Sequence, residues 1–465
     1  MKQKVVSRGS QQERGQTIIL VAIGLVSLLA MAALAIDIVT LYAARSETQR
    51  AADATALVAA KAIADSGFTT LPPTDPNIVN GNAQTLAQNM ATSAISAMLN
   101  AANNPLINQV AGMQPALVGT PTIFFPATAN PQNSNPHIKV TLQVTNLPTF
   151  FARIWGNRTA TVTASATAEA YNPANVQNFT PIAPRGVKPW LVANIDPNTG
   201  TQFISTGTGV IEPNVIGEPL NLTPDCLPGP NCNTLISNPN PPGIGQQSTH
   251  VPPYPPAYPQ VEYVPAQVTP NSNDVCPLPA SCTENAQYPD YQHSIQCHDV
   301  NPYPCGGSVN NFSWDPTVNP RHPFRHNGPS ALGAECLIRA SNSGSGQGQD
   351  VLQDPSPWPA APFQFAAQSG PQAGNVVTTS SSIVTIPIID NTAANFHSTG
   401  TYGVTIVGFM QAFINQVQDG NGGTYLGDIN VTVLNIVGCS TTPTGANPVV
   451  GSGTSPVPVR LITPP

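Results

Sequence analysis

The feature that most constrains this chain is an uncharged apolar run near its N-terminus, from Thr17 to Ile36. Twenty helical residues extend about 30 Å, which is the thickness of the hydrocarbon core of a bilayer. The run therefore predicts one membrane-spanning helix. The alternative is a cleaved signal peptide, for which "ALAID" (Ala33 to Asp37) offers a cleavage site. The apolar region of a signal peptide is usually shorter, about 7–15 residues.

The residues before this run predict its orientation. Residues 1–16 form a basic flank, in which Glu13 is outweighed by Lys2, Lys4, Arg8 and Arg14. The positive-inside rule places such a flank in the cytoplasm and everything after Asp37 on the opposite side. We therefore expect a bacterial inner-membrane protein with a single span, a cytoplasmic N-terminus and a bulk that is periplasmic or extracellular.

The helical pattern does not stop where the apolar run ends. Small and apolar residues recur at three- and four-residue steps from Leu41 to Ala62, and helix breakers arrive only at Gly67 and "LPPTDP". Residues 17–66 are predicted to form one helix of about 75 Å, whose upper part is a periplasmic stalk. Its alanines allow another helix to approach closely. That helix belongs either to a partner subunit or to this same chain, and the sequence leaves both open.

Residues 67–171 predict a small α+β module. A second amphipathic helix covers Ala83 to Met98, and a strand with alternating polarity covers Ile138 to Thr145. The stretch "LPTFFARIWG" predicts a short helical turn, and a second alternating strand runs from Thr159 to Ala170.

Two regions of different composition follow the module. Residues 172–320 are rich in proline and cysteine and are predicted to be irregular, with polyproline II structure from Val251 to Pro265. Residues 321–465 are predicted to be β-rich, with "SSIVTIPIID", "YGVTIVGFMQAFI" and "DINVTVLNIVGC" as adjacent strands of one sheet and a loose tail, "TSPVPVRLITPP". The predicted fold class is α+β: a transmembrane helix continuing into a stalk and a small module, then a Pro-rich, disulfide-containing β-rich region.

All the cysteines lie in the exported part of the chain. They number eight, an even count that favours disulfides in an oxidising compartment: Cys226, Cys232, Cys276, Cys282, Cys297, Cys305, Cys336 and Cys439. Two C-x5-C spacings predict local pairs, Cys226–Cys232 and Cys276–Cys282. The remaining cysteines would then pair as Cys297–Cys305 and Cys336–Cys439, although eight cysteines permit 105 connectivities.

We find no sequence motif of a catalytic site. Charged residues make up 8% of the chain, against about 25% in a typical soluble domain. The best metal candidates are His322 and His326, with Cys297, His298 and Cys305 upstream, but Pro323 argues against a helix that would bring both imidazoles to one face. We therefore predict no enzyme, no metal, no cofactor and, because the exported part is net acidic, no nucleic-acid partner.

Two aspartates of the first helix invite simple interpretations. Asp37 is expected to mark the boundary between lipid and water. Asp53 is expected to pair with Arg50 on the exposed side of the helix.

The N-terminal stretch "RGQTIILVAIGLVSLLAMAALAIDIVTLYAARSETQRAADATALVAA" resembles TadE/TadG-like proteins of tight-adherence (Flp) pilus assembly. "PTFFARIWG" followed by "TVTASATAEA" is also similar to the end of that module. The residues that carry the resemblance are Arg14, Gly15, Gln16, Asp37, Arg45, Gln49, Ala51, Ala52, Asp53 and Ala54.

Two departures from the family limit what the resemblance implies. Leu20 stands where pilin-like members that are processed after the glycine carry Glu, which argues against cleavage and polymerisation into a fibre. The D-x-S-x-S metal motif of larger TadG-like proteins is absent from the sequence.

The resemblance implies a non-enzymatic, single-pass envelope protein that serves as a scaffold or anchor in pilus assembly. Its partners would be the inner membrane and other pilus-assembly subunits, contacted through the N-terminal helix. The alternative is a membrane-anchored adhesin or surface-binding protein that uses the disulfide-rich exported region.

Overall fold

The computed structural model describes most of the elements needed to test these expectations. It describes residues 12–70, 82–100, 115–125, 135–149, 151–156, 158–172, 182–206, 209–212, 215–224, 259–268, 288–298, 308–314, 328–340, 347–353, 363–377, 379–390, 402–417, 428–439, 449–450 and 455–462, and positions 74, 282, 300, 302, 303 and 305.

One continuous helix forms the N-terminal part of the described chain. Helix α1 runs from Gln12 to Asp65, and its 54 residues extend about 80 Å. It stops where predicted, because Gly67 adopts φ +83°. A Cβ at Gly67 would also lie 2.5 Å from the carbonyl oxygen of Leu434, so the turn leaves no room for a side chain.

The stalk of α1 packs against a small sheet and a second helix. This helix is α2, Asn82–Asn100, and the sheet has the order β1-β3-β4-β17, with β2 also paired to β3. The strands are β1 (Ala116–Leu117), β2 (Thr122–Phe124), β3 (His137–Pro148), β4 (Thr159–Ala170) and β17 (Val459–Ile462). The prediction of two helices followed by strands is confirmed, and alternate residues of β3 point into the core.

The C-terminal tail corrects one expectation, because it forms strand β17 rather than a loose end. It pairs antiparallel with β4, and Arg460 Nε donates to Glu169 Oε2 at 2.7 Å. Burial by itself would raise the pKa of the Glu169 carboxyl, but hydrogen bonds from His137 and Arg460 outweigh it and lower that pKa. The guanidinium of Arg460 also lies 4.5 Å from the ring centre of Tyr171.

A second sheet of seven strands forms the main body of the described chain beyond the small module. Its order is β13-β6-β8-β7-β15-β14-β9, and β13 also pairs with β14, so six of the strands close into a ring. The strands are β6 (Trp190–Ala193), β7 (Pro219–Pro224), β8 (Gln260–Pro265), β9 (Ser308–Trp314), β13 (Ile383–Ile389), β14 (Tyr402–Val417) and β15 (Ile429–Gly438).

The six strands that close into a ring are called the barrel. The barrel confirms the prediction of three adjacent C-terminal strands and corrects the prediction that residues 172–320 are irregular. Strands β13, β14 and β15 are adjacent, as predicted. The segment 172–320 is not wholly irregular, because it supplies β6, β7, β8 and β9 to the same sheet. Within the expected polyproline stretch, residues 260–265 are strand β8, parallel to β7, and residues 251–258 lie outside the described chain. Strands β6, β7 and β8 are only four to six residues long, and their partners are distant in the chain, which is why the local pattern of that segment did not reveal them.

Smaller elements complete the described fold. Helices α3 (Pro289–Gln296) and α4 (Pro329–Leu337) pack on each other, and α4 also contacts β14. A three-stranded sheet comprises β10 (Asp350–Leu352), β11 (Phe365–Ala367) and β12 (Val376–Val377), and a two-stranded parallel sheet comprises β5 (Ile182–Ala183) and β16 (Val449–Val450).

One hydrophobic core joins the stalk, the small sheet and the barrel. Ile63, in the last turn of α1, and Phe68, in the turn that follows, share it with Ile138 of β3 and with Phe409 and Phe413 of β14. The predicted boundaries at residues 171 and 320 therefore do not coincide with separate cores.

The disulfides differ from the predicted pairs. Cys282 bonds to Cys336 and Cys305 bonds to Cys439, with Cα atoms 5.6 and 5.4 Å apart. The predicted pairs Cys276–Cys282, Cys297–Cys305 and Cys336–Cys439 are therefore wrong, and Cys297 is disulfide-bonded elsewhere. Short spacing along the chain did not predict the pairs, because the tertiary fold decides which cysteines meet. Cys305, for example, lies beside β5, and Cys439 follows β15. Cys226 and Cys232 lie outside the described residues.

Candidate functional site

The candidate functional site is helix α1 and the places where the rest of the chain contacts it. Its lower part is exposed along the apolar run, where Ile18, Leu28 and Met31 are each about 70% exposed. By length and composition it is the one helix in the described part of the chain able to cross a membrane. Arg14, Gly15 and Gln16 lie in its first turns.

Asp37 makes a polar contact between the lower half of α1 and a distant part of the chain. Its Oδ2 atom accepts hydrogen bonds from the backbone N–H groups of Phe151, at 3.0 Å, and Ala152, at 2.7 Å. These groups begin a 3-10 helix, Ala152–Trp155, whose own N-cap residue supplies no side-chain hydrogen bond. The first N–H groups of a helix lack internal partners, and a carboxylate satisfies them well. Asp37 is 3% exposed, so its carboxylate is a buried cap of the 3-10 helix. The expectation that it is a hydrated marker of the boundary between lipid and water is therefore wrong.

Gln49 makes the next contact up the helix. Its Nε2 donates to Asp53 Oδ1 at 2.8 Å and to the carbonyl oxygen of Ser165, in β4, at 3.1 Å. Asp53 therefore has Gln49 as its partner, where the sequence predicted Arg50. Arg45 is exposed to solvent.

The alanine-rich face of the stalk packs inside the chain. Ala51 and Ala52 are 4% and 0% exposed, and they belong to the core formed with α2, β3 and β4. Ala54 is half-buried. Of the two partners that the sequence left open for this face, the structure shows the one within the same chain.

The top of α1 is fixed by a buried polar network on the barrel. Asn435 Nδ2 donates to the carbonyl oxygen of Ala64 at 2.7 Å and to Thr69 Oγ1 at 2.6 Å. The side chain of Asp65 accepts from Gln411 Nε2 at 2.8 Å. Asp65 also pairs with Lys61. No local sequence pattern indicates this network, because the bonds from Asn435 to Ala64 and from Gln411 to Asp65 join residues more than 340 positions apart.

The described residues contain no group of three His, Cys, Asp or Glu side chains positioned for a metal ion. His322 and His326 lie outside them. Cys305 is disulfide-bonded and is thus not a thiolate ligand.

A carboxyl group with a raised pKa directly precedes strand β7 of the barrel. Burial raises the pKa of the Glu218 carboxyl to about 8, and the charge and hydrogen bond of Asp196 add to this effect. Both side chains are 2% exposed, so they are closed to a substrate. Asp196 organises its own loop by accepting from the N–H of Asn198 at 2.8 Å and from Thr199 Oγ1 at 2.7 Å.

A cavity of about 420 Å³ lies between α2 and the three-stranded sheet. Its polar wall includes Asp350, Gln364 and Gln372, and Met90 and Val377 are apolar members. Asp350 is 5% exposed; its Oδ2 accepts from Ser380 Oγ at 2.6 Å, and its Oδ1 has no hydrogen-bond partner among the described residues.

Comparisons with known proteins bear on the N-terminal helix. No curated protein and no solved structure matches the chain. Residues 15–62 match the family model Tad, described as Flp pilus-assembly TadE/G-like. The matched segment begins in the first turns of α1 and ends one turn before the helix does, so it contains Asp37, Gln49 and the buried alanines. Together, this match and the exposed apolar helix indicate a membrane-anchored protein. Residues 15–62, within the N-terminal helix, are thus similar to the TadE/G-like family of Flp pilus assembly, as the sequence resemblance predicted.

Proposed function

We propose that this protein is a single-pass inner-membrane scaffold of Flp (tight-adherence) pilus assembly. Its N-terminus lies in the cytoplasm and its exported domain in the periplasm, and its role is binding and positioning without catalysis. The family match of the helix and the charge asymmetry around the apolar span support this proposal.

The observation that carries the proposal is the fixed connection between the span and the exported body. Helix α1 has no break from the apolar run to Asp65. It is held near its middle by the bonds from Asp37 to the 3-10 helix, and at its top by Asn435 of the barrel. A protein built this way presents its exported domain at a set height above the bilayer, as a scaffold requires.

Burial of the stalk alanines restricts where pilus-assembly subunits contact the chain. Since Ala51 and Ala52 are covered by the chain itself, the contact lies on the exposed span or on the exported surface. A Cβ at Gly24 would meet nothing within 4 Å, so this position leaves a close approach open to a second membrane helix. We propose the span as the contact.

The first experiment tests orientation with reporter fusions. A reporter that works only in the periplasm is fused after Asp65 or before Arg14. We expect activity from the first fusion and none from the second; the reverse pattern would contradict the proposed orientation.

The second experiment tests the partner contact by purification from native membranes. The full chain is used, because β17 and the barrel complete the core around α1. Gly24→Leu fills the open position, and Leu25→Ile is the matched control on a neighbouring face. We expect Gly24→Leu to retain less of the pilus-assembly subunits while membrane levels stay normal. Equal recovery with both variants would place the contact elsewhere.

The alternative function, a membrane-anchored surface-binding protein, is favoured by the cavity beside Asp350. Asp350, Gln364 and Gln372 line this cavity, and polar side chains of this kind suit a ligand that forms hydrogen bonds. Binding of the purified full chain to polysaccharide-coated surfaces would support this alternative, provided that Asp350→Asn reduces it.

A further inference from the structure

The β3–β4 hairpin runs down the side of α1, and contacts at three levels give its position. At the upper level Gln49 reaches the carbonyl oxygen of Ser165 at 3.1 Å. At the middle level Leu41 and Ala44 pack against a small apolar cluster of the hairpin, Val144, Leu147 and Val162. At the lowest level Asp37 receives the N–H groups of Phe151 and Ala152.

The spacing of these levels agrees with regular geometry. From Gln49 down to Asp37 the helix descends twelve residues, or about 18 Å. From Ser165 to Thr159 the strand descends six residues, or about 20 Å. The segment that joins the two strands is residues 149–158, and its described residues, 149, 151–156 and 158, therefore lie beside Asp37. We call this segment the hairpin tip.

The hairpin tip thus lies at the level where the uncharged span ends. Ile36 is the last residue of that span, and apolar side chains remain exposed just above it, with Ile38 57% and Val39 66% exposed. Tyr42, on the same stretch of helix, is 76% exposed. In a bilayer this level corresponds to the headgroup region, where aromatic residues of membrane proteins concentrate.

The composition of the hairpin tip matches that region. Its sequence, "TFFARIWGNR", contains three aromatic residues, two arginines and no acid. Arg153 and Arg158 are exposed, and no salt bridge is found for either within the described chain. Arginine binds phosphate with a planar fork of donors, and basic groups near a membrane surface are attracted to anionic lipids.

We propose that the hairpin tip is a second membrane contact, which binds anionic phospholipid headgroups through Arg153 and Arg158. The proposal rests on the membrane anchoring of α1 and adds to it a contact from a different part of the chain. A protein anchored by one helix can rotate about that helix and tilt in the membrane. A second contact with the membrane, beside the helix, restricts both motions. Through Asp37, the same contact fixes the stalk and hence the orientation of the barrel.

The test uses the full chain reconstituted in phosphatidylcholine vesicles with and without phosphatidylglycerol. Some of the phosphatidylcholine carries bromine on the upper part of its acyl chains, which quenches nearby tryptophan. The signal of Trp155, in the hairpin tip, is the difference between the chain and its Trp155→Phe variant. We expect this signal to be quenched, at least twofold more strongly with phosphatidylglycerol present, and less so in high salt.

Charge variants identify the groups responsible. In the double variant Arg153→Gln, Arg158→Gln the effect of phosphatidylglycerol should disappear. Lys139→Gln is the matched control: it removes one exposed positive charge from β3 of the same hairpin, at its membrane-distal end, and should leave the effect intact.

The outcomes separate this proposal from the anchoring on which it rests. If alkaline carbonate releases the chain from the vesicles, α1 does not span the bilayer and the anchoring is wrong. If the chain stays inserted but Trp155 is not quenched, the anchoring stands and the second contact is overturned. Quenching that is equal with and without phosphatidylglycerol overturns the assignment to anionic headgroups.

Discussion

The side-chain amide of Asn435 donates a hydrogen bond to the backbone carbonyl oxygen of Ala64 at 2.7 Å, across 371 positions of the chain. Ala64 lies in the last turn of α1, where carbonyl groups have no partner within the helix. Asn435 lies in the middle of β15 and is fully buried. The barrel therefore caps the helix that carries the chain out of the membrane.

Replacing this cap should loosen the stalk from the barrel. Asn435→Ala leaves the carbonyl of Ala64 and the hydroxyl of Thr69 buried without their partner, which costs about 1–3 kcal/mol for each group. We expect a loss of roughly 3 kcal/mol in the free energy of unfolding, measured by denaturant titration in detergent. Asn415→Ala, which removes two side-chain bonds at a half-buried site on β14, is the control and should cost less. If both variants lose the same free energy of unfolding, capping of Ala64 by Asn435 does not stabilise the chain more than an ordinary side-chain hydrogen bond.

Asp37 should hold the hairpin tip against the helix. Asp37→Ala removes the acceptor of two backbone N–H groups, at a cost of about 1–3 kcal/mol. Hydrogen exchange of the Phe151 and Ala152 amides should accelerate strongly, while exchange in β15 stays unchanged. Thr40→Ala is the control, since the Thr40 hydroxyl bonds only to carbonyl groups of its own helix, those of Ile36 and Asp37. Unchanged exchange in Asp37→Ala would contradict the capping role.

Side-chain size at Ala52 should control folding of the exported module. Ala52 is 0% exposed, so Ala52→Leu overfills a packed core at a cost of about 1–3 kcal/mol. Ala43→Leu lies on the exposed side of the same helix and should change stability by less than about 0.5 kcal/mol. Thermal melting and the yield of folded protein measure both. Normal folding of Ala52→Leu together with loss of partner subunits would mean that this face packs between chains instead.

The long-range disulfides should make a large contribution to stability. Cys305–Cys439 and Cys282–Cys336 close segments of 134 and 54 residues, which on the chain-entropy model corresponds to about 4–5 kcal/mol each. Peptide mapping without reduction should recover these two cross-linked pairs. A Cys276–Cys282 cross-link would contradict the structure. Cys439→Ser should lower the melting temperature under oxidising conditions and have little effect in reductant.

Glu218 should make stability depend on pH in the direction opposite to that of most carboxyl groups. Its pKa is raised from 4.5 to about 8 in the folded state, so between these values the native chain binds the proton that the unfolded chain has released. The stabilisation is fully present below about pH 4.5 and is lost as pH rises through about 8. Glu218→Gln keeps a neutral hydrogen-bonding group and should flatten this slope, as shown by melting temperatures from pH 5 to 9. If Glu218→Gln leaves the dependence of melting temperature on pH unchanged, another titratable group causes that dependence.

Local sequence patterns predicted the elements whose neighbours are close in the chain. The apolar run and the three- and four-residue periodicity predicted α1 as one helix, and Gly67 predicted where that helix ends. The alternation of Ile138, Val140 and Leu142 gave β3, because one face of that strand is buried and the other is not.

The sequence alone determined an N-terminal membrane-type helix of TadE/G-like kind, because apolar periodicity and family residues are local properties of the chain. Tertiary structure decided what that helix contacts. Asp37 could be read as a boundary charge until the 3-10 helix was seen to bring Phe151 and Ala152 to it. The alanine face had two possible partners until β3, β4 and α2 were seen to cover it. The disulfide pairs and the capping of Ala64 by Asn435 join residues tens to hundreds of positions apart, and no local pattern encodes which distant strands close a barrel.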